Sequence, residues 1–403
     1  MRIPLALASL TESDISEAIL VLKSGNLTMG KKVLEFENRM AQYLKVDHFV
    51  MVNSGSSANL LIFEYLLRSS DRKRRLRKGD GVLVPAIAWP TTVWPIIQLG
   101  LRPVFVDVDR ETFQLDLDRA QGIINSSKEP IKAIFPIHPL GLCLDHELLQ
   151  SFKESNDLIL VSDVCESLGS WRKGIHAGTT SLAASFSFYF SHHITTMEGG
   201  GICTNSLDVA NDLRSMRSHG WSRNRTDSQI WSEGISGPAA KFLFITTGYN
   251  VRPTEIQAAI GMNQITRIDS YIAKRRSLAQ KAHLACMDSP IRLMGSEYLD
   301  LASSDSHSWM MLPFAVEDSR VTKHQVQEYL EDLGVETRPV LTGNFLKQPA
   351  MTALDDLDLL GDFTNTNWVS DNCFLVGAHH DYSEDQIDYL MKVLRESSGL
   401  ISN

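Results

Sequence analysis

The sequence predicts an α/β fold: a mostly parallel sheet covered by helices on both faces, followed by a smaller C-terminal α+β unit. Two observations predict it. Short, nearly all apolar runs alternate with helical segments over the first 250 residues, as expected of parallel strands that are buried on both faces. After Asn250 the chain changes to a long helical segment and then to mixed helices and strands.

The composition is that of an ordinary globular protein with ample core. Of the 403 residues, 43% are hydrophobic and 22% are charged. The formal net charge of -9, from 39 basic and 48 acidic residues, argues against a general nucleic-acid-binding protein. The sequence has no run of 18 apolar residues and no apolar signal segment after Met1. We therefore expect no membrane span and a cytoplasmic location.

The five cysteines are widely separated and form no C-x-x-C or C-x-C pair. This spacing predicts free thiols in a reducing compartment rather than a disulfide framework or a four-thiolate iron–sulfur cluster. We also expect no metal site. The cysteines are Cys143, Cys165, Cys203, Cys286 and Cys373.

The chain opens with two predicted helices and a strand that leads into a serine-rich loop. We expect the helices at residues 11–23 and 32–44, and a buried strand at 49–52. The loop at residues 53–59 precedes a helix at 60–67. This arrangement suits anion binding because free backbone N–H groups point out of a helix N-terminus. The same serines could instead cap the helix without any ligand.

Four further apolar runs predict strands with polar residues after them, at residues 82–85, 103–108, 133–136 and 158–163. In open parallel sheets, ligands bind beyond the carboxyl ends of the strands. We therefore expect one site at that edge, formed by the residues at or just past such ends, which are Ser56, Trp89, Asp163 and His192.

An aromatic-rich stretch is the central feature of the predicted site. Residues 185–190 predict a buried strand, and His192 and His193 follow it directly. The glycine triplet at 199–201 allows another group to approach the backbone closely. Because adjacent strand residues face opposite ways, we expect only one of the two histidines to face a ligand.

The C-terminal part predicts a separate unit. A long amphipathic helix from residue 251 to about 283 is expected to connect it to the rest of the chain. We divide the chain into a large cofactor-binding domain (1–250), a connecting helix (251–283) and a small domain (284–403). The elements expected in the small domain are strands at 309–316 and 337–340 and helices at 323–333 and 384–395.

Several segments together resemble the nucleotide-sugar aminotransferases of the DegT/DnrJ type, from about residue 22 to 390. The resemblance implies the aspartate aminotransferase fold, which is fold type I of the pyridoxal-phosphate-dependent transferases. It also implies a homodimer with a shared active site. The segments are Asn53-Ser54-Gly55-Ser56-Ser57, Ser162-Asp163-Val164-Cys165-Glu166, Phe186-Ser187-Phe188, Thr195-Thr196-Met197-Glu198-Gly199-Gly200 and residues 248–261.

The resemblance implies how a pyridoxal 5'-phosphate or pyridoxamine 5'-phosphate cofactor is held. Trp89 would stack on the pyridine ring, and Asp163 would pair with the ring nitrogen, which keeps the ring an electron acceptor. Glu166 would contact the cofactor at a position where the aminotransferases commonly carry glutamine. Asn250 would reach the phosphate from the second subunit. The remaining phosphate-binding residues would be Gly55, Ser56, Ser57 and Ser187.

The chain departs from the family pattern at His192, where the aminotransferases have a lysine bonded covalently to the cofactor. Imidazole cannot form that stable bond, but near neutral pH it can both take and give protons. The departure resembles the sugar 3-dehydratase branch of the family, which implies a noncovalently bound pyridoxamine phosphate. The implied reaction removes the C3 hydroxyl of a nucleotide-diphosphate 4-keto-6-deoxyhexose, with GDP-4-keto-6-deoxy-mannose favoured, and gives a 4-keto-3,6-dideoxy sugar.

Glutamate would restore the amine cofactor, with Arg252 as the candidate for binding its carboxylate. His219 is a further candidate substrate contact, and His193 is expected to be structural. The residues identify neither the nucleotide nor the sugar stereochemistry. Two alternatives remain open: a conventional sugar aminotransferase with a displaced lysine, and a non-catalytic paralogue that binds cofactor or sugar.

Overall fold

The structure is a computed structural model that describes residues 1–299, 305–354 and 359–401. Its α-helices are α1 (Glu12–Ser24), α2 (Lys31–Leu44), α3 (Gly55–Arg68), α4 (Pro90–Gln98), α5 (Leu117–Ser126), α6 (His146–Ser155), α7 (Leu207–Met216), α8 (Ser228–Trp231), α9 (Glu255–Gln264), α10 (Ile268–Ala285), α11 (Lys323–Asp332), α12 (Pro349–Thr352), α13 (Thr364–Asn372) and α14 (Glu384–Glu396). Its strands are β1 (His48–Val52), β2 (Gly81–Pro85), β3 (Arg102–Val106), β4 (Ile131–Ile134), β5 (Ile159–Leu160), β6 (Ser162–Asp163), β7 (Trp171–Arg172), β8 (Ile175–His176), β9 (Ala184–Ser187), β10 (Gly200–Thr204), β11 (Ile291–Leu293), β12 (Met311–Val316), β13 (Thr337–Arg338) and β14 (Cys373–Gly377).

The central sheet has the strand order β3-β2-β4-β5/β6-β9-β10-β1, with β5 and β6 separated by Val161 alone. Strands β3, β2, β4 and β5 pair in parallel, and so do β6 and β9. Strand β10 pairs antiparallel with both of its neighbours. All of these strands except β10 therefore run in one direction, and the prediction of a mostly parallel sheet is confirmed.

The pleat of β1 shows how the sheet is buried on both faces. Val50 and Val52 belong to the same apolar cluster as Leu61 of α3. The alternating residue Phe49 points the other way, where its ring meets the ring of Phe36 on α2 edge-on at 6.4 Å. Because both faces carry apolar side chains, nearly every residue of the strand must be hydrophobic. This is why short apolar runs identified the strands correctly.

The C-terminal residues form a second, antiparallel sheet in the order β11-β12-β14-β13. The start of the chain joins this unit, since Ile3 forms a β-bridge with Val335. Arg2 adds an ion pair with Glu336. The predicted mixture of helices and strands after Asn250 is therefore confirmed, but no sequence pattern indicated that the N-terminal residues pack there.

The strand predicted at residues 185–190 is wrong in length. Strand β9 ends at Ser187, and both histidines lie in the turn that follows. Strand β10 begins at Gly200, opposite Ser187. A hydrogen bond from Phe188 N to the carbonyl of Gly199 at 2.9 Å ends this pairing, and the carbonyl of Phe188 accepts from Thr196 N in the turn. The carbonyl of Tyr189 then accepts a hydrogen bond from the N–H of His192 at 3.0 Å, which bends the chain back.

The single helix predicted from residue 251 to about 283 is also wrong. Two helices, α9 and α10, are joined by a 3-10 turn at Ile265–Arg267. The buried carboxylate of Asp14 holds this turn, accepting hydrogen bonds from Gln264 Nε2 and Arg267 Nη2, each at 2.8 Å. The turn thereby fastens α1 to the connecting segment.

Within the described ranges, no helix combines the length and apolar character needed to cross a bilayer. All five cysteines are free, as predicted.

Glu255, the first residue of α9, caps the start of α2. Its carboxylate accepts hydrogen bonds from the backbone N–H groups of Gly30 (2.8 Å), Lys32 (2.9 Å) and Val33 (3.0 Å). Gly30 occupies the N-cap position and has no side chain to do this itself. A carboxylate 225 residues away in sequence therefore satisfies the free donors of this helix.

We expect Glu255→Ala to lower the free energy of unfolding by about 2 kcal/mol, because it leaves buried backbone donors without acceptors. Urea denaturation followed by circular dichroism measures the change. Glu35→Ala is the matched control: Glu35 is half-buried on α2 and its carboxylate lies 3.6 Å from the exposed Lys31, so its loss should cost about 0.5 kcal/mol or less. Equal losses for the two variants would contradict the capping role of Glu255.

Candidate active site

A cavity of about 400 Å³ opens at the carboxyl ends of the parallel strands. Residues at or after the ends of β1, β2, β4, β6 and β9 line it, together with Met310, Arg338 and Leu341 from the C-terminal part. The predicted convergence is confirmed, because Ser56, Trp89, Asp163 and His192 all lie in this wall. The sheet thus brings together residues that are far apart in sequence.

The N-terminus of α3 forms one end of the cavity. Ser54 is the N-cap, and its Oγ accepts a hydrogen bond from Ser57 N at 3.1 Å and donates to Ser57 Oγ at 3.0 Å. A Cβ on Gly55 would lie 2.7 Å from Cβ of Ser187. Only glycine therefore leaves the space between this helix end and β9 open, as an anion site with free N–H groups requires.

Among the predicted phosphate-binding residues, Gly55, Ser56 and Ser187 line the cavity. Ser57 is not in the wall, since its backbone and hydroxyl are both engaged by Ser54. Ser54 lines the cavity instead. Which serine caps a helix depends on where the helix begins, and α3 begins five residues earlier than predicted.

Asp163 is a buried carboxylate, only 4% exposed, that is fixed by three hydrogen bonds. Its Oδ2 accepts from Asn59 Nδ2 (2.9 Å) and Thr92 Oγ1 (2.8 Å), and its Oδ1 accepts from Cys165 N (3.1 Å). Within the described ranges, no Lys or Arg forms an ion pair with it. A carboxylate buried without a cation is costly, so this cavity suits a ligand that brings a protonated nitrogen.

Glu166 lies in the same wall, and its Oε2 accepts a hydrogen bond from Leu140 N at 3.0 Å. Burial raises the pKa of the Glu166 carboxyl above its ordinary value, and the negative charge of Asp163 adds to that shift. The N–H of Leu140 and the charge of Arg338 oppose it.

Trp89 lies at the cavity mouth with 46% of its surface exposed. The guanidinium Cζ of Arg338 is 5.6 Å from the centroid of its ring. Arg338 comes from β13 of the C-terminal sheet, so the cavity has walls from both sheets.

The imidazole of His192 lines the cavity, with the ring of Tyr189 edge-on to it at 6.0 Å. Burial lowers the pKa of His192 to about 3, and the charges of Arg275 and Arg338 add to the shift. Its Nδ1 is buried and has no hydrogen-bond partner among the residues that the structure describes. The ring is therefore neutral at physiological pH, whereas the sequence predicted a pKa near neutrality.

His193 is buried and faces away from the cavity, with its Nε2 3.2 Å from the carbonyl oxygen of Ser308. The prediction that only one histidine faces the site is confirmed, although the reason is different. The two residues diverge in a turn and are not alternating residues of a strand.

Three predicted site residues, Asn250, Arg252 and His219, lie together outside this cavity. Arg252 Nε donates a hydrogen bond to Asn250 Oδ1 at 2.9 Å. His219 follows Ser218, which forms a β-bridge with Asn250. Asn250 and His219 are exposed. Any role of these residues at the cavity requires a second subunit and stays a prediction.

Sequence reasoning missed four cavity or supporting residues: Asn59, Thr92, Tyr189 and Arg338. Thr92 and Tyr189 adjoin segments that the sequence had singled out, so their positions near strand ends were a usable signal. Asn59 lies within the predicted loop at residues 53–59, but its contact with Asp163 is made across the fold and had no signal. The contact of Arg338 with Trp89 is also made across the fold.

Comparisons with known proteins agree with the geometry. The profile of the DegT/DnrJ/EryC1/StrS aminotransferase family matches residues 8–395. The GDP-4-keto-6-deoxy-D-mannose 3-dehydratase of Yersinia pseudotuberculosis is 34% identical over 400 residues, covering 98% of this chain and 99% of that protein.

Solved structures give the same result. E. coli GDP-4-keto-6-deoxy-D-mannose-3-dehydratase with bound hydrated PLP superposes with a TM-score of 0.88 at 33% identity, over 98% of this chain and 99% of that one. A GDP-4-keto-6-deoxymannose-3-dehydratase with a trapped PLP-glutamate geminal diamine gives a TM-score of 0.87 at 33% identity, over 98% and 100% of the two chains.

We expect the imidazole of His192 to stay neutral from pH 8 down to about pH 4, because burial and two arginine charges disfavour the imidazolium. The pH dependence of its resonance in protein labelled with 13C at histidine Cε1 measures this, and His192→Asn identifies the signal. Arg338→Gln should move the pKa of His192 upward, since one cation is removed. A His192 signal that titrates near pH 6.5, the ordinary value, would contradict the prediction.

Proposed function

Because the chain belongs to the DegT/DnrJ/EryC1/StrS aminotransferase family and has the type I fold of pyridoxal-phosphate-dependent transferases, we propose that it is a sugar 3-dehydratase. Its substrate is a nucleotide-linked 4-keto-6-deoxyhexose, with GDP-4-keto-6-deoxy-D-mannose favoured. The observation that carries the proposal is the cavity wall: it contains His192 and, among the residues described, no lysine.

The cavity fits a pyridoxamine phosphate cofactor. Asp163 is a buried, hydrogen-bonded carboxylate that lacks a cation, as a protonated pyridine nitrogen would supply. The open space at Gly55, with Ser56 and Ser187 beside it, suits the phosphate. The exposed face of Trp89 suits the ring. When bound, this cofactor supplies an amine that condenses with the sugar ketone and a ring that accepts electrons.

His192 is the proton-transfer residue of the proposal. Its neutral imidazole accepts a proton on a ring nitrogen, and the resulting imidazolium donates it to the departing C3 hydroxyl group. Burial and the charges of Arg275 and Arg338 disfavour the imidazolium. The protonated ring is therefore a strong acid, which favours donation to the leaving group over retention of the proton.

The aminotransferase alternative lacks support from the cavity. That alternative needs a displaced lysine at the cavity, but Lys173 is exposed and pairs with Glu147 at 2.8 Å. Lys241 is exposed on a 3-10 turn. Neither residue lines the cavity. The non-catalytic alternative leaves unexplained why three hydrogen bonds fix an otherwise unpaired carboxylate at Asp163.

The proposal includes a homodimer in which Asn250 of one subunit reaches the cofactor phosphate of the other. Large apolar side chains near Asn250 in sequence are exposed in the single chain. This exposure supports a surface that a second subunit covers. Phe242 and Phe244 are 63% and 58% exposed, and Ile230 is 70% exposed. At the cavity mouth, Phe190 is also exposed.

We also propose that the enzyme works in the cytoplasm, which its five free thiols support. The division into domains at 1–250, 251–283 and 284–403 remains part of the proposal. The Ile3–Val335 bridge indicates that the first residues belong with the small domain.

The test of function is a panel of GDP-, CDP- and dTDP-linked 4-keto-6-deoxyhexoses, offered with pyridoxal phosphate and glutamate. We expect the product sugar to have lost the C3 hydroxyl, with ammonia released, and the GDP-linked mannose derivative to react fastest. Mass spectrometry of the sugar and an ammonia assay measure this. Transfer of the amine to C4 instead of loss of the hydroxyl would establish the aminotransferase alternative.

His192→Lys is the matched variant for that experiment. It should lose dehydration and acquire a covalent bond to the cofactor, which borohydride makes permanent and mass spectrometry detects. The parent protein should show no such adduct. A lysine variant that dehydrates as fast as the parent would refute the role of His192.

The dimer prediction is tested by complementation. His192→Ala and Asn250→Ala proteins should each be inactive, but a co-expressed mixture should regain activity, because each mixed dimer has one site without either substitution. Random pairing gives about a quarter of the parent sites in the unfractionated mixture and about half of them in the purified mixed dimers. Steady-state assays of separately tagged, co-purified mixed dimers measure this. Inactive mixed dimers would show that both residues serve the same site within one chain.

A further inference from the structure

The segment between α3 and β2 concentrates positive charge on the surface, and we call residues 68–78 the basic loop. Asp71 is its one acidic residue. The chain as a whole has a formal net charge of -9, so this loop differs in sign from the rest of the protein. The proposed reaction uses none of its residues. Seven of its eleven residues are basic: Arg68, Arg72, Lys73, Arg74, Arg75, Arg77 and Lys78.

Five of these seven cations are exposed and form no ion pair among the residues that the structure describes. Arg68 pairs with Glu64, and Arg74 pairs with Asp71. The single acidic residue of the loop is therefore already paired. The five cations that remain available to a partner are Arg72, Lys73, Arg75, Arg77 and Lys78.

The basic loop is anchored to the fold, so its charges have a defined position. Leu76 is only 1% exposed, and its N–H donates a hydrogen bond to the carbonyl of Leu66 on α3 at 2.8 Å. Asp80 Oδ2 accepts a hydrogen bond from Arg77 N at 2.7 Å. The loop thus presents its cations from a fixed surface of the protein.

This loop lies at the far end of α3 from the cavity. Gly55, the first residue of the helix, lines the cavity, and Arg68 is the last. The 14 residues of the helix span roughly 20 Å. The cavity opens at the carboxyl ends of the strands, whereas the basic loop leads into the start of β2 at Gly81. A partner bound to the loop therefore leaves the cavity open.

The composition of the loop disfavours a protein or a nucleic acid as its partner. Protein interfaces have an apolar core, and single-stranded nucleic acids stack on exposed aromatic rings. The loop offers neither, because its single large apolar side chain, Leu76, is buried. Duplexes are bound by elements that enter a groove or follow the phosphate backbone, and a loop of eleven residues provides no such element.

An anionic lipid surface requires only a compact group of cations that comes within a Debye length of it, about 10 Å. Charges further away are largely screened. The net charge of -9, spread over the whole chain, is therefore compatible with such a contact.

We propose that the basic loop binds the anionic surface of a phospholipid bilayer and holds the protein there reversibly. Each cation close to such a surface raises the affinity about fivefold, so five of them act together strongly. Because the loop has no apolar side chain to insert, the contact is electrostatic and is lost at high salt. The proposal does not depend on the reaction in the cavity.

Sedimentation of the full chain with sucrose-loaded vesicles tests the proposal. The vesicles contain phosphatidylcholine alone or phosphatidylcholine mixed with phosphatidylglycerol, an anionic lipid. One variant neutralises the loop: Arg72→Gln, Lys73→Gln, Arg75→Gln, Arg77→Gln and Lys78→Gln. The matched control makes the same change of net charge at exposed cations elsewhere: Lys23→Gln, Lys274→Gln, Lys281→Gln, Lys392→Gln and Arg395→Gln. Circular dichroism checks that both variants are folded.

We expect the parent to bind the anionic vesicles and not the neutral ones. Its affinity should fall more than about a hundredfold in the loop variant, because five cations are lost. Salt at about 1 M should have the same effect, since it shortens the Debye length to about 3 Å. The control variant should bind within about threefold of the parent, because its substituted residues lie outside the loop.

Equal losses in the two variants would show that net charge alone governs the contact, and would overturn the proposal. Absence of binding to the anionic vesicles, or equal binding to the neutral ones, would also overturn it. A fluorescent DNA duplex is offered to the same proteins. If the parent binds the duplex but not the vesicles, and the loop variant binds neither, the loop is a nucleic-acid contact and the proposal is wrong.

Discussion

The buried carboxylate of Asp163 is the constraint around which this site is built. Asn59 on α3, Thr92 on α4 and the backbone of Cys165 each donate a hydrogen bond to it. Hydrogen bonds therefore hold α3, α4 and the end of β6 to one carboxylate. These bonds satisfy the oxygen atoms but do not neutralise the charge, which stays costly in a buried place unless a cation joins it. A protonated pyridine ring is such a cation, so in the proposed function the same carboxylate would both order the wall and bind the cofactor.

The protonation state of His192 depends on charged groups that the sequence did not associate with it. Its burial and the charges of Arg275 and Arg338 keep the ring neutral. The expectation from its ordinary pKa was a group that titrates near neutrality, and this was wrong because both arginines are distant in sequence. The consequence for chemistry is an imidazole that is neutral at physiological pH and, once protonated, a strong acid. In the proposed elimination it would take a proton from carbon and, as that acid, give the proton to the departing C3 hydroxyl group.

The parts of the fold that were predictable are those set by local pattern. Strands such as β2, Gly81–Pro85, are buried on both faces and so are apolar throughout. The strand predicted at residues 185–190 was too long because its partner sets its length: β10 begins at Gly200, opposite Ser187. The break between α9 and α10 was not predicted for a similar reason, since Asp14 in α1 holds the turn between the two helices. Ser57 was predicted to face the cavity, but it lies outside the wall, because helix starts depend on contacts across the fold.

The two half-reactions of the proposed cycle place opposite demands on one cavity. The sugar must lose a hydroxyl group beside a neutral imidazole, whereas glutamate must bring carboxylates into a wall that already holds three. The charge of Arg338 in the same wall disfavours the imidazolium of His192. Because Arg338 comes from the C-terminal sheet and His192 from the turn after β9 of the central sheet, the packing of the two parts against each other sets the charge state of His192. Sequence patterns within either part cannot reveal that coupling.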